Sequence, residues 1–168
     1  MKIAIGSDHR GADLRAKLSM ILQDEGCEMV PCGACGGKIC DYPDTAYPVA
    51  RAVADGLADR GILICGSGIG MSIAANKIKG IRAALVHDEL SAEMSRRHND
   101  ANVICLPADM VGPRIIERVV HTWLATEFEG GRHERRVRKI TAIEEGHDPS
   151  AVTVDVETTP LTDSGSAG

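Results

Sequence analysis

The stretch Gly61-Ile62-Leu63-Ile64-Cys65-Gly66-Ser67-Gly68-Ile69-Gly70 does most to limit what this chain can become. Ile62, Leu63 and Ile64 are consecutive apolar residues between glycines, the pattern of a short strand buried on both faces, and such strands sit at the centre of parallel sheets. Glycines at 66, 68 and 70 let the backbone turn tightly and bring main-chain N–H groups towards a bound anion. The small residues that follow open a helix. Cys65 stands at the lip of the turn, where a sulfur is placed to act as base or nucleophile while the loop amides hold an oxyanion.

Two plainer readings compete. A glycine-rich turn after a strand often binds phosphate with no catalysis at all. Gly66-x-Gly68 also begins a dinucleotide-binding fingerprint, and Asp88, at the end of the apolar run Ile81 to Val86, lies about 20 residues on, where an acid would meet a ribose hydroxyl. Met71 occupies the place of the third glycine, which puts that fingerprint out of register.

The flanking segments alternate strand and helix. Lys2 to Gly6 reads as a strand ending in Ser7-Asp8-His9-Arg10-Gly11, and Leu14, Leu18, Ile21 and Leu22 mark a helix that stops at Gly26. Asp8 and His9 therefore sit at the carboxyl end of a strand, where open α/β sheets gather ligand-binding groups. Glu28 to Pro31 predicts a second strand, Cys32 to Asp44 a loop, and Ala46, Val49, Ala50, Val53 and Leu57 the core face of a helix. Beyond the central strand come a helix near 70–78, a strand at 81–86, a short helix ending at Arg96-Arg97-His98-Asn99, and a fifth strand at Asn102 to Leu106. Ile115, Ile116, Val119, Val120 and Trp123 predict a long packed helix before the break at Gly130-Gly131. A last helix opens at Arg132, with Val137, Ile140 and Ile143 as its expected buried face. Arg132 and Arg136, four apart, can converge on one anion, although a charged run on a terminal helix is more often a solvated face. The whole predicts an α/β fold with a parallel sheet.

Composition narrows the partners. Of 168 residues 43% are hydrophobic, enough for one domain with a sizeable core, but only 2% are aromatic, which leaves few stacking platforms for single-stranded nucleic acid. Four units of the net charge of −5 fall in residues 147–168, which hold no Lys or Arg, so the remainder carries only −1. A near-neutral body argues against a broad surface for polyanions. No apolar run approaches membrane-spanning length, and Met1 leads directly into a short strand instead of a signal peptide, so a cytoplasmic protein is expected. Cys27, Cys32, Cys35 and Cys40 include one C-x-x-C pair, but a zinc ribbon needs a second, and disulfides are disfavoured in a reducing compartment. These cysteines read as small residues in a glycine-rich connection, and Cys105 as core. Residues 1–146 form the expected domain and 147–168 a polar, flexible tail, with Val152, Val154 and Val156 alternating as an edge strand would.

Six pieces, Gly6-Ser7-Asp8-His9-x-Gly11, Asp41-Tyr42-Pro43-Asp44, Cys65 through Lys77, Gly80-Ile81-Arg82-Ala83-Ala84, Arg97 through Val103 and Gly130-Gly131-Arg132-His133-x-x-Arg136-Val137, resemble the ribose-5-phosphate isomerase B family. The likeness spans about residues 1–145, with the motifs in the family's order. It implies a three-layer α/β/α sandwich around a five-stranded parallel sheet, Rossmann-like, and a homodimer with interface active sites. It also implies aldose–ketose isomerisation of a sugar phosphate without metal or organic cofactor. On this resemblance Cys65 matches the base, Gly66, Gly68, Ile69 and Gly70 the anion hole, and Ser67 a proton relay where many relatives carry Thr. His98, assisted by Asp8, matches the group that opens the sugar ring; His9 and Asn99 would hold substrate oxygens, and Arg132 with Arg136 the phosphate. One position departs. Asp109 stands where relatives commonly place a phosphate-reaching Arg, so it must point away, be compensated by Arg10, or signal another four- to six-carbon sugar.

Overall fold

The computed structural model describes residues 1–32 and 39–153. Strands β1 (Lys2–Ser7), β2 (Glu28–Val30), β3 (Arg60–Cys65), β4 (Ala83–Leu85) and β5 (Val103–Pro107) form a five-stranded, all-parallel sheet in the order β2-β1-β3-β5-β4. Helices α1 (Ala12–Asp24), α2 (Tyr42–Ala54), α3 (Ile69–Ala75), α4 (Glu89–Asn99), α5 (Pro113–Ala125) and α6 (Arg132–Glu144) complete the fold. This is a three-layer α/β/α sandwich with β3 in the middle, as its apolar run predicts.

Alternation along β3 feeds two cores. Ile62 and Ile64 pack with Ile3, Ile5, Ile104 and Leu106 against Leu14, Leu18 and Leu22 of α1 and Ile116, Val119, Val120 and Trp123 of α5. Leu63 and Cys65 face the other way, with Val103 and Cys105, towards Ala46, Val49 and Ala50 of α2 and Met71 and Ala75 of α3. Each fully buried aliphatic side chain contributes about 1.5–3 kcal/mol by leaving water. The same alternation fixes the register, because a slip of one residue would move Cys65 to the opposite face. Among the described residues no helix is long and apolar enough to cross a membrane.

Several expectations change. Helix α2 begins at Tyr42, inside the segment expected to be loop, because Pro43 fits the first helical turn; Leu57 lies beyond its end and is exposed. Strand β4 is shorter than 81–86, since this edge strand pairs only with β5. Ile115 faces outward at the start of α5, and on α6 the expected buried residues Ile140 and Ile143 are exposed, while His133 and Ala142 are buried instead. The reason is that α6 packs mainly on α4 and on the 3₁₀ turn Pro149–Ala151, not on the sheet. Cys27, Cys32, Cys65 and Cys105 are free thiols, with Cys105 fully buried, whereas Cys40 is disulfide-bonded, against the expectation of reduced cysteines. Cys35, Val154 and Val156 lie outside the described residues.

Asp88 weighs against the dinucleotide reading. Its carboxylate caps α4 by accepting the Ser91 N–H at 2.7 Å, a bond that also holds its pKa below the ordinary carboxylate value. It also follows β4, which is separated from β3 by β5, so it does not flank the Cys65 loop as a ribose ligand would.

Candidate active site

Three connections meet at the carboxyl edge of the sheet, after the neighbouring strands β1, β3 and β5. Cys65 ends β3, is 5% exposed, and its Sγ accepts the Gly68 N–H at 3.1 Å. Gly68 makes that contact possible. Its φ of +74° lies in the left-handed region, and a Cβ there would stand 2.5 Å from Leu85 Cδ1 and 3.3 Å from the Leu106 carbonyl carbon. Gly68→Ala is therefore expected to lower stability by about 1–3 kcal/mol, read as a shifted urea midpoint at unchanged slope. Ser67 Oγ accepts the Ile69 N–H at 3.4 Å, and the Ile69 side chain is exposed. Two of the amides expected to form an anion hole are thus already turned towards groups of the loop itself.

The connection after β1 reaches the same edge, because the Asp8 N–H donates to the Ile64 carbonyl. Asp8 is 8% exposed, and its Oδ1 accepts the N–H groups of Arg10 at 2.9 Å and Gly11 at 3.3 Å, which fixes the turn; His9 is exposed. The connection after β5 is tied down by Ala108 N–H to the Cys65 carbonyl and Asp109 N–H to the Gly66 carbonyl. Asp109 does not point away from the loop. Its Oδ2 pairs with Arg10 Nε at 2.8 Å and Nη2 at 2.6 Å, and it lies 2.5 Å from where a Cβ on Gly66 would be, so Arg10 compensates the unexpected anion. Gly70 is overlain by the Tyr42 ring, 2.7 Å from its ideal Cβ position, which brings the Asp41-Tyr42-Pro43-Asp44 motif to this edge too.

The other expected site residues lie elsewhere in the chain. His98 and Asn99 end α4, and the Asn99 carbonyl accepts Arg82 Nε just before β4, which places them at the amino edge. His98 stacks on His133 with centroids 4.1 Å apart and planes 1° from parallel. His133, 3% exposed, accepts Arg132 Nε at 3.3 Å; burial first, then His98 and Arg132, push its pKa down. Arg136, one turn along α6 and solvent-exposed, adds to that positive field. Within one chain the sheet separates His98, Asn99 and Arg132 from Asp8 and Cys65.

His98, Glu129 and His133 each bring a ligand-capable atom within 4.8 Å of the others. Parallel stacked rings keep their in-plane lone pairs from converging on one ion, and Arg132 already occupies His133 Nε2, so the donor set does not suit a metal. His133 and Tyr42 carry no role that spacing reveals; both lie inside the motifs Gly130-Gly131-Arg132-His133 and Asp41-Tyr42-Pro43-Asp44, and only the tertiary contacts show what they touch.

The model of the Ribose/Galactose Isomerase family matches residues 3–140. Ribose-5-phosphate isomerase B of Escherichia coli is 46% identical over 144 residues, covering 86% of this chain and 97% of that protein. D-erythrulose-4-phosphate isomerase of Pectobacterium atrosepticum is 44% identical over 141 residues, covering 83% and 93%. The solved structure of Clostridium thermocellum ribose-5-phosphate isomerase B superposes with a TM-score of 0.85 at 49% identity, covering 87% of this chain and 99% of that one. A match over nearly the whole described domain, in sequence and in backbone, shows that the chain belongs to the ribose/galactose isomerase family, in its ribose-5-phosphate isomerase B group, and is a sugar-phosphate isomerase.

Proposed function

We propose that the enzyme interconverts ribose 5-phosphate and ribulose 5-phosphate through an enediolate, with Cys65 as the base. The observation that carries this reading is the Cys65 sulfur at the end of the central strand, held by the Gly68 amide beside a glycine-lined turn. The thiolate takes the proton from C2 of the open-chain aldose, the C–H electrons form the C1–C2 double bond, and negative charge develops on O1. Ser67 relays a proton to that oxygen, and the amides of residues 66–70 stabilise the charge, Gly68 and Ile69 turning from their loop contacts to do so. Proton return to C1, with loss of the O2 proton, leaves the ketose. His98 opens the furanose, His9 and Asn99 hold substrate oxygens, and Arg132 and Arg136 grip the phosphate.

These roles require a second copy of the chain. Asp8 and Cys65 at one edge of the sheet meet His98, Asn99, Arg132 and Arg136 from the other edge only across a homodimer interface, where exposed Ile140 and Ile143 of α6 also find cover. No organic cofactor enters the scheme, because the proton moves within one substrate. A base that works only as a reduced thiol fits a cytoplasmic enzyme.

A four-carbon sugar phosphate is the second reading, favoured by the 44% identity to the D-erythrulose-4-phosphate isomerase and by the carboxylate of Asp109 at the site's edge. A panel of four- to six-carbon aldose and ketose phosphates, with products identified by NMR, decides between them. Ribose 5-phosphate is expected to have the highest kcat/KM. Turnover confined to a four-carbon phosphate would replace the first reading with the second.

A further inference from the structure

Helix α6 turns Ile140 and Ile143 outward, yet it buries an imidazole, that of His133, at 3% exposure where the helix packs on α4. Packing alone would favour an apolar side chain there, because His133 Nδ1 is cut off from solvent and has no hydrogen-bond partner among the described residues. The rest of the ring is in use. Its face lies parallel to the His98 ring with centroids 4.1 Å apart, and its Nε2 accepts the Arg132 Nε–H at 3.3 Å. Arginine keeps its proton, so Nε2 is the bare nitrogen, Nδ1 carries the hydrogen, and the His133 ring is neutral.

We infer that His133 is a positioning residue that sets the plane of the His98 imidazole and the direction of the Arg132 guanidinium together, holding ring opening and phosphate binding in one register. The inference rests on the proposed function, in which those two groups act on the same sugar phosphate. Ribose 5-phosphate has the dimensions for it: its ring oxygen O4 is four bonds from phosphorus, so the groups that serve them stand side by side. Opening the furanose breaks the C1–O4 bond; His98 delivers a proton to O4, Asp8 takes the one on O1, and the aldehyde forms. The stacked ring keeps the His98 N–H in the plane where it meets O4. The bond at Nε fixes one edge of the Arg132 fork and leaves its two Nη groups for phosphate oxygens. Both tasks need a neutral ring, since a protonated His133 would lose the lone pair that Arg132 uses and repel a protonated His98 across the stack.

Two conservative variants take the tasks apart, each made in full-length Cys65→Ala enzyme, which on the proposed scheme opens the ring and stops there. Calorimetry gives the Kd of ribose 5-phosphate, NMR exchange gives the rate at which saturated enzyme interconverts its α and β furanoses, and circular dichroism establishes that each variant is folded. His133→Phe keeps a flat ring and loses the acceptor, so Kd is expected to rise about tenfold while anomer exchange stays within about threefold. His133→Gln keeps an acceptor and loses the aromatic face, so exchange is expected to fall about tenfold while Kd stays within about threefold. If both variants change the two readings in parallel, or neither reading moves by about twofold in either variant, His133 only fills space and the inference is overturned while the sugar-phosphate reading stands. If Cys65→Ala enzyme with His133 intact neither binds ribose 5-phosphate nor accelerates its anomer exchange, the proposed function falls and takes the inference with it.

Discussion

Cys65→Ala is expected to lower kcat for the preferred sugar phosphate by about a thousandfold, within the range that a positioned acid or base contributes. KM should change little, because the thiol acts on a proton and the phosphate is held by other residues. The chain should remain folded: Cys65 packs against apolar neighbours that include Met71 and Cys105, and trimming a sulfur to a methyl in that core costs about 1 kcal/mol. Exchange of the C2 proton with deuterated water, followed by NMR, isolates the step assigned to the thiol. Loss of exchange together with loss of turnover locates the defect in proton abstraction. Turnover within threefold of the unsubstituted enzyme would end the case for Cys65 as base. Alkylation should report the same group, with substrate protecting activity, whereas reaction at the half-buried Cys27 and Cys32 should leave turnover intact.

The centre of the fold is written locally, and its periphery is not. Ile62 to Ile64 announce β3 because burial on both faces demands an unbroken apolar run, and the glycines that follow have few other uses at the end of a strand. Asp8 and Cys65 share an edge because all strands are parallel, so every strand ends on the same side. That topology also shows where adjacency in a list of motifs misleads. His98 ends a helix that runs back from the carboxyl edge, which puts it across the sheet from Cys65 in its own chain. Periodicity on α6 marks Val137, Ile140 and Ile143 as a buried face, yet Ile140 and Ile143 are exposed, because a stripe does not say whether its cover lies in the same chain. Arg10 and Asp109 are 99 residues apart, and only the folded chain brings the unexpected anion to its cation. The His98–His133 stack is equally invisible to spacing rules, since it joins two helices.

Mixing two inactive enzymes should restore activity, and this is the sharpest test of a site divided between subunits. Cys65→Ala removes the group at the carboxyl edge, and Arg132→Ala removes the phosphate grip at the amino edge; each homodimer then has two defective sites. Random exchange of subunits makes about half of the dimers mixed, and each mixed dimer holds one site with both defects and one with neither, so total activity should recover to about a quarter of the unsubstituted value. The recovered fraction should follow the time course of subunit exchange and depend on the mixing ratio, with a maximum at equal amounts. A second pair, His98→Ala with Cys65→Ala, should behave the same way, because His98 and Arg132 lie at the same edge. Combining His98→Ala with Arg132→Ala should restore nothing, since the mixed dimer then has one defect in each of its sites. No recovery in the first two mixtures, after exchange has been verified by mass spectrometry, would place the whole site within one chain and require α4 or α6 to pack differently from the arrangement described, whereas recovery in the control would show that His98 and Arg132 of one chain serve different sites.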